Sequence, residues 1–258
     1  MIPTEIRYEV DQRLNAIQAS QDVRFLLVVE SGSRAWGFPS PDSDYDIRFV
    51  YVQPRDHYLR LTPSRDVIEQ PILDEIDLNG WDIRKFLSLL LKSNAVACEW
   101  LASPIRYRPD HPIVAKLSAL ADAIYDPHAL SHHYASVGRK AAERWLDGDE
   151  PVAVKRYFYA LRPALAMRAI RLNCHQRPPM DLAQLIAVAD VPADLCDMIA
   201  GLVAAKRQTR EHGASARLPE LEKFIRDELT CVRALPTRTS APDGLAAANT
   251  LFLDLINE

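Results

Sequence analysis

The chain has 258 residues, 48% of them hydrophobic and 26% charged, with a formal net charge of −4. That length suits one large domain or two small ones, and the composition excludes a disordered or fibrous chain. The overall charge excludes a uniformly basic nucleic-acid binder, but its distribution is uneven: residues 1–100 hold 16 acidic and 11 basic side chains (net −5), while residues 131–180 hold 4 and 9 (net +5).

The start, MIPTEIRYEV, lacks a basic stretch followed by an apolar core, so no signal peptide is expected. No apolar run approaches membrane-spanning length, and a cytoplasmic protein is expected. Cys98, Cys174, Cys196 and Cys231 are scattered without a C-x-x-C pair, which fits reduced thiols. His128, His132 and His133 lack carboxylates at fixed spacing and read as surface or core histidines.

Ile6, Val10, Leu14 and Ile17 recur at helical spacing and predict a helix over 3–20. Strands follow near 23–30 (around FLLVV), 44–53 (DYDIRFVYV) and 66–79, the last interrupted or at an edge because of Pro71. A helix is predicted from Trp81 to Lys92, one from about Ala95 to before Pro104, and one over 111–124. Beyond Asp126-Pro127 the pattern is almost wholly helical, over 128–147, 151–173, 181–190, 192–211, 217–234 and 242–257, with a kink expected at Pro163 and a loop at 236–244. The expected architecture is α+β: a small mixed sheet with flanking helices over 1–126, then a helical bundle over 127–258.

The chemistry-bearing stretch is ESGSRAWGFPSPDSDYDIRFVYV, Glu30 to Val52. Gly32 lets the backbone turn sharply and approach a ligand, Ser33 adds a hydroxyl, and Arg34 to Trp36 can open a short helix, an arrangement that suits a phosphate. Asp44 and Asp46, at i and i+2 on a strand, share one face roughly 7 Å apart at Cα. Two hard oxygen ligands so placed can share Mg²⁺ or Mn²⁺ with phosphate oxygens. An EF-hand reading fails, because Ile47 stands where the loop needs Gly and Gln53 where it needs Glu. Singly, a Gly-Ser after a strand is an ordinary turn and an Asp-x-Asp an ordinary solvated edge. Their joint occurrence across a short spacer points to nucleoside triphosphate chemistry.

An apolar run, Gly-Ser, about ten residues and then Ser-Asp-x-Asp together resemble the DNA polymerase beta-like nucleotidyltransferase superfamily. The longer strings GSRAWGFPSPDSDYDIRF, LNGWDIRKFLSLLLKSN and EWLASPI resemble its RlaP branch, predicted nucleotidyltransferases associated with RNA repair. The likeness is strong over roughly the first 110 residues and looser beyond, chiefly through KRYFYALRPALAMRAI, Lys155 to Ile170. It implies a third carboxylate on a later strand. Asp77, in the apolar-Asp-apolar setting Ile76-Asp77-Leu78, is the first choice; Asp82, at the start of the next helix, stays open as the alternative, and Asp74 falls ahead of the strand.

The implied activity is transfer of a nucleoside monophosphate from an NTP, ATP by first choice, to RNA, a protein or a small molecule, with release of pyrophosphate. Asp44, Asp46 and Asp77 would carry the metals, and Gly32, Ser33 and Arg34 the triphosphate. A helical domain would close the nucleotide cleft with Lys155, Tyr159 and Arg162, which share a helix face. Lys140 is a second basic candidate. The alternative for the helical cluster is a bundle in which Tyr157, Phe158 and Leu161 pack and the basic residues face solvent. The alternative for the whole chain is a nucleotidyltransferase fold serving as a binding or antitoxin-like regulatory module. Acceptor and nucleobase are not readable from the residues.

Overall fold

The computed structural model describes residues 2–143, 145–208, 214–231 and 244–258. Helix α1 (Thr4–Gln21) leads into β1 (Arg24–Glu30), the short helix α2 (Gly32–Ala35) and β2 (Tyr45–Val52). After a helical turn, α3 (Arg55–Tyr58), come β3 (Val67–Glu69), β4 (Ile76–Asp82), α4 (Ile83–Leu90), α5 (Ala95–Ala102) and α6 (Ile113–Ala123). The second half carries α7 (Pro127–Ala142), β5 (Val152–Ala153), α8 (Val154–Leu172), α9 (Leu182–Val188), α10 (Ala193–Gln208), β6 (Ala214–Ser215), α11 (Pro219–Thr230) and α12 (Gly244–Ile256).

The fold is α+β, as expected. The main sheet has the order β1-β2-β4-β3; β2 runs antiparallel to β1 and parallel to β4, and β3 is antiparallel to β4. The run expected over 66–79 is two strands. Pro71 lies in their connection, which turns back through Asp74 and Glu75 at φ 54° and 63°. Trp81, expected to begin a helix, instead lies in β4 and stacks on Trp100 of α5 at 3.9 Å between ring centroids. The helix starts one residue after Asp82, whose carboxylate accepts from the Arg84 amide at 2.8 Å and caps it.

Period-two alternation gives the sheet two different faces. Ile47, Phe49 and Tyr51 of β2 join Ile76 and Leu78 of β4 under α1, which contributes Val10, Leu14 and Ile17. A Cβ at Gly80 would lie 2.0 Å from Phe49 Cε2, so only glycine lets that ring lie flat against β4. On the other face Val50 and Val52 pack with α4, α5 and α6. The same face of β2 begins with Asp46 and Arg48. It is therefore polar at one end and apolar at the other.

The helical half has its own core around α8, where Tyr157, Phe158, Leu161 and Leu165 are fully buried. α8 runs through Pro163 as one helix of 19 residues. It starts at Val154 rather than 151, because Val152 and Ala153 form the two-residue strand β5, paired with β6. The expected helices over 128–147 and 217–234 are shorter, and parts of 192–211, 217–234, the 236–244 loop and the last helix fall outside the described residues. The last helix, α12, does not stay with the bundle. Ala248 and Leu255 are buried in the core of the first half, and Arg24 of β1 reaches the Leu255 carbonyl at 3.2 Å. Although it follows residue 126 in sequence, α12 thus packs with the first half of the chain.

Candidate active site

β2 and β4 are parallel neighbours, and their register sets Asp46 directly against Asp77. Arg48, two residues on and on the same face, holds the pair: its Nη2 donates to Asp46 Oδ1 at 3.1 Å and to Asp77 Oδ2 at 2.7 Å. Its Nη1 donates to the Ile47 and Asp77 carbonyls, each at 3.0 Å. The alternative third carboxylate, Asp82, pairs with Tyr51 at the far end of the strands, five residues from Asp77 and thus roughly 16 Å away. It is buried, accepts from Tyr58 Oη at 2.8 Å, and serves as the α4 cap.

The Gly-Ser turn lies over Asp46. Gly32 sits at φ 57°, and a Cβ there would be 2.0 Å from Asp46 Oδ2. Only a glycine backbone fits so close to that carboxylate. The Ser31 amide donates to the Asp46 carbonyl at 2.8 Å and fixes the approach. Ser33 Oγ donates to Ser43 Oγ at 3.1 Å, and Arg34 donates to the carbonyls of Ser43 (2.5 Å) and Asp44 (3.1 Å) while lying 3.9 Å over the Tyr45 ring. Both side chains brace the loop from Gly32 to Asp44. Asp44 is exposed, one residue ahead of β2.

Burial pushes the Asp46 carboxyl above its ordinary range; Arg48 pulls it down, Asp77 and Asp44 push it up, and Lys155 pulls it down. Lys155 of α8 is thus near enough for its charge to be felt at Asp46, though less than that of Arg48. Tyr159 is 40% exposed, its ring 5.7 Å from Lys155 Nζ and edge-on to Trp36 at 5.9 Å. Arg162 shares this face but lies deeper. Its side chain is 5% exposed, its Nη2 is 2.9 Å from Glu99 Oε1, and its guanidinium stacks on Trp36 at 4.5 Å. It is engaged with the protein rather than lining an open cleft. Lys140 lies in a separate groove of about 580 Å³ between α7 and α11 with Arg139 and Arg226.

Three features around the carboxylate pair had no part in the sequence reading. Arg48 is one; its place at i+2 from Asp46 was a readable signal. Glu30 at the end of β1 is the second. It is fully buried, accepts from the Asp46 amide at 3.0 Å and from Tyr107 Oη at 2.5 Å, and burial pushes its carboxyl up to about 7 against the pull of those bonds. The third is the anchoring of the loop in the helical half. Phe38 stacks on Phe158 at 4.3 Å, the Leu182 amide donates to the Trp36 carbonyl at 2.9 Å, and Glu99 accepts from Tyr134 Oη at 2.9 Å and Trp36 Nε1 at 3.4 Å.

Hard carboxylate oxygens on Asp46 and Asp77 suit a divalent ion in kind. The second oxygen of each accepts no hydrogen bond among the described residues, and that of Asp46 faces the glycine turn. Among the described residues no three His, Cys, Asp or Glu side chains are grouped closely enough to form a complete metal site; the pair is what the fold brings together, with Asp44 at the rim. All four cysteines are free, and among the described residues no helix is long and apolar enough to cross a membrane.

Residues 6–254 match the family described as RNA repair pathway DNA polymerase beta family, RlaP. A protein of Bacillus subtilis (strain 168), named only as uncharacterized protein YcgL, is 36% identical over 255 residues, covering 98% of this chain and 97% of that protein.

Proposed function

Because the chain belongs to the RNA repair pathway DNA polymerase beta family, a nucleotidyltransferase family, we propose that it moves a nucleoside monophosphate from an NTP to an acceptor and releases pyrophosphate. ATP is the proposed donor. RNA is the first acceptor to test, in keeping with the family's association with RNA repair. The observation that carries this reading is the register pair Asp46–Asp77 lying under a glycine turn that packs directly on the Asp46 carboxylate.

Asp46 and Asp77 would hold the metal, Mg²⁺ or Mn²⁺, with Asp44 as the third carboxylate of the set. Such an ion, when bound, neutralises phosphate charge and polarises the attacked phosphorus. The chain's own residues position and shield. Gly32 admits the triphosphate beside Asp46, and Ser33 and Arg34 hold the loop in shape. Lys155 supplies a cation from the helical side. Tyr159, half-exposed beside Lys155, offers a ring on which a base can stack. Arg162 acts indirectly, by fixing Trp36 and through it the loop. Asp77, opposite Asp46, orients the acceptor hydroxyl.

One observation favours the second reading, a regulatory or antitoxin-like module. Arg48 already neutralises part of the carboxylate pair, as a structural ion pair would. Incubation with each α-labelled NTP, Mg²⁺ or Mn²⁺ and cell extract decides between them. Label moving into RNA, protein or a small molecule, with pyrophosphate released, supports the enzyme and identifies donor and acceptor class. NTP binding without label transfer supports the module.

A further inference from the structure

Two carboxylates set face to face on adjacent parallel strands repel one another, and the usual remedy in a metal site is the metal. Here the chain supplies a cation of its own. The Arg48 guanidinium is fixed by four hydrogen bonds, to Asp46 Oδ1, Asp77 Oδ2 and the carbonyls of Ile47 and Asp77. Its side chain is 18% exposed, against 30% for Asp46 and 23% for Asp77. The carbonyl bonds matter, because they tie the guanidinium to the backbone of both strands. Arg48 therefore keeps its place when a ligand competes for one carboxylate oxygen. Among the described residues one oxygen of each aspartate accepts no hydrogen bond, and that of Asp46 lies against the Gly32 turn, where phosphate would lie.

We propose that Arg48 is a positioning residue acting as a resident cation, which pre-pairs Asp46 with Asp77 and weakens their attraction for a free divalent ion, so that metal enters together with the triphosphate. The electrostatics give the direction. A fixed positive charge within hydrogen-bond distance of both carboxylates opposes an incoming dication at short range, where the effective dielectric is well below that of water. A triphosphate beside the Gly32 turn brings negative charge that cancels this opposition. Metal and nucleotide then bind with positive coupling, and by linkage each strengthens the other by the same factor. Such coupling keeps the carboxylates ordered and paired between turnovers without a bound ion. The inference rests on the reading of Asp46 and Asp77 as metal ligands.

The test is Mn²⁺ binding, followed by the electron paramagnetic resonance signal of the free ion, to wild type, Arg48→Gln, Arg48→Lys and Asp46→Asn. Each is measured with and without a non-hydrolysable ATP analogue. Arg48→Gln without nucleotide should bind Mn²⁺ at least about tenfold tighter than wild type, while Arg48→Lys, which keeps the charge, stays near wild type. Unchanged or weaker binding by Arg48→Gln overturns the inference. Should that variant fold poorly because the aspartates repel, its melting temperature should rise on adding Mn²⁺ by more than that of wild type; no such rise also overturns it. Wild type alone gives an independent check: Mn²⁺ affinity should be at least about tenfold higher with the analogue than without, and equal affinities count against the proposal. Asp46→Asn separates the two claims. If it binds Mn²⁺ and the Mn²⁺–analogue complex as wild type does, the metal-ligand reading itself fails. If it does not, and Arg48→Gln is no tighter than wild type, only the role of Arg48 fails.

Discussion

Replacing Arg162 by alanine leaves Glu99 with a carboxylate 11% exposed and, among the described residues, no cation ion-paired with it. Tyr134 Oη and Trp36 Nε1 still donate to Glu99, but neither carries charge. Removing one partner of a buried ion pair destabilises by about 3–5 kcal/mol, because the remaining charge stays desolvated. For a chain of 258 residues the unfolding entropy is about 0.5 kcal/mol/K, so the melting temperature should fall by about 6–9 °C. Lost stacking on Trp36 adds about 0.5–2 kcal/mol. Scanning calorimetry of Arg162→Ala, Glu99→Gln and the double variant measures this. The double variant should melt above Arg162→Ala, since it leaves no unpaired charge. Lys223→Ala is the control: Lys223 pairs with Asp227 at the surface, 76% exposed, and its loss should move the melting point by less than about 1 °C. An Arg162→Ala protein that melts within 2 °C of wild type yet gains nothing from MgATP would refute the reasoning, and would make Arg162 a direct ligand contact.

Glu30 gives a pH dependence. Its carboxyl, near 4.5 when unfolded and about 7 when folded, binds a proton more tightly in the native state. Its contribution therefore falls as pH rises from about 4.5 to 7 and is flat above, amounting to about 3 kcal/mol. The urea midpoint of wild type relative to Glu30→Gln should fall across that window; a difference independent of pH contradicts the assignment. Gly32→Ala should lose about 1–3 kcal/mol of stability and most triphosphate affinity, since φ 57° and the Asp46 carboxylate both oppose a Cβ. Unchanged calorimetric affinity in a folded Gly32→Ala protein removes the phosphate turn. Lys155→Ala should weaken MgATP binding about 10- to 100-fold, the loss of one charge-assisted contact. A fall in stability with affinity retained would make it a bundle residue.

The sheet was legible where one strand speaks for itself. The alternation in DYDIRFVYV placed Asp46 on a face with Val50 and Val52, and the glycine after FLLVV marked the turn that lies over it. Pairings between strands were not legible. Nothing in a chain read singly says that Asp77 rather than Asp82 stands against Asp46; that follows from the parallel register of β2 and β4. Trp81 was misplaced for a related reason, because a strand feeding straight into a helix has no polar break between them. Lys155, Tyr159 and Arg162 do share a helix face, as their spacing said. How deeply each lies depends on Glu99 and Trp36, brought in from the other half of the fold, and Arg162 is drawn inward by them. Strands as short as β5 and β6 are below any periodicity, and the return of α12 to the first core depends on contacts more than a hundred residues apart.

Pyrophosphate release from ATP, with Mg²⁺ and the acceptor that takes up label, is the most direct measure of the central claim when compared among Asp46→Asn, Asp77→Asn and Asp82→Asn. All three keep side-chain size, and Asp82→Asn serves as the matched control, because Asp82 caps α4 roughly 16 Å from the pair. Asp46→Asn and Asp77→Asn should lose release almost completely while remaining folded, and Asp82→Asn should retain most of it. Full activity in either of the first two, or loss confined to Asp82→Asn, would contradict the assignment of chemistry to the Asp46–Asp77 pair.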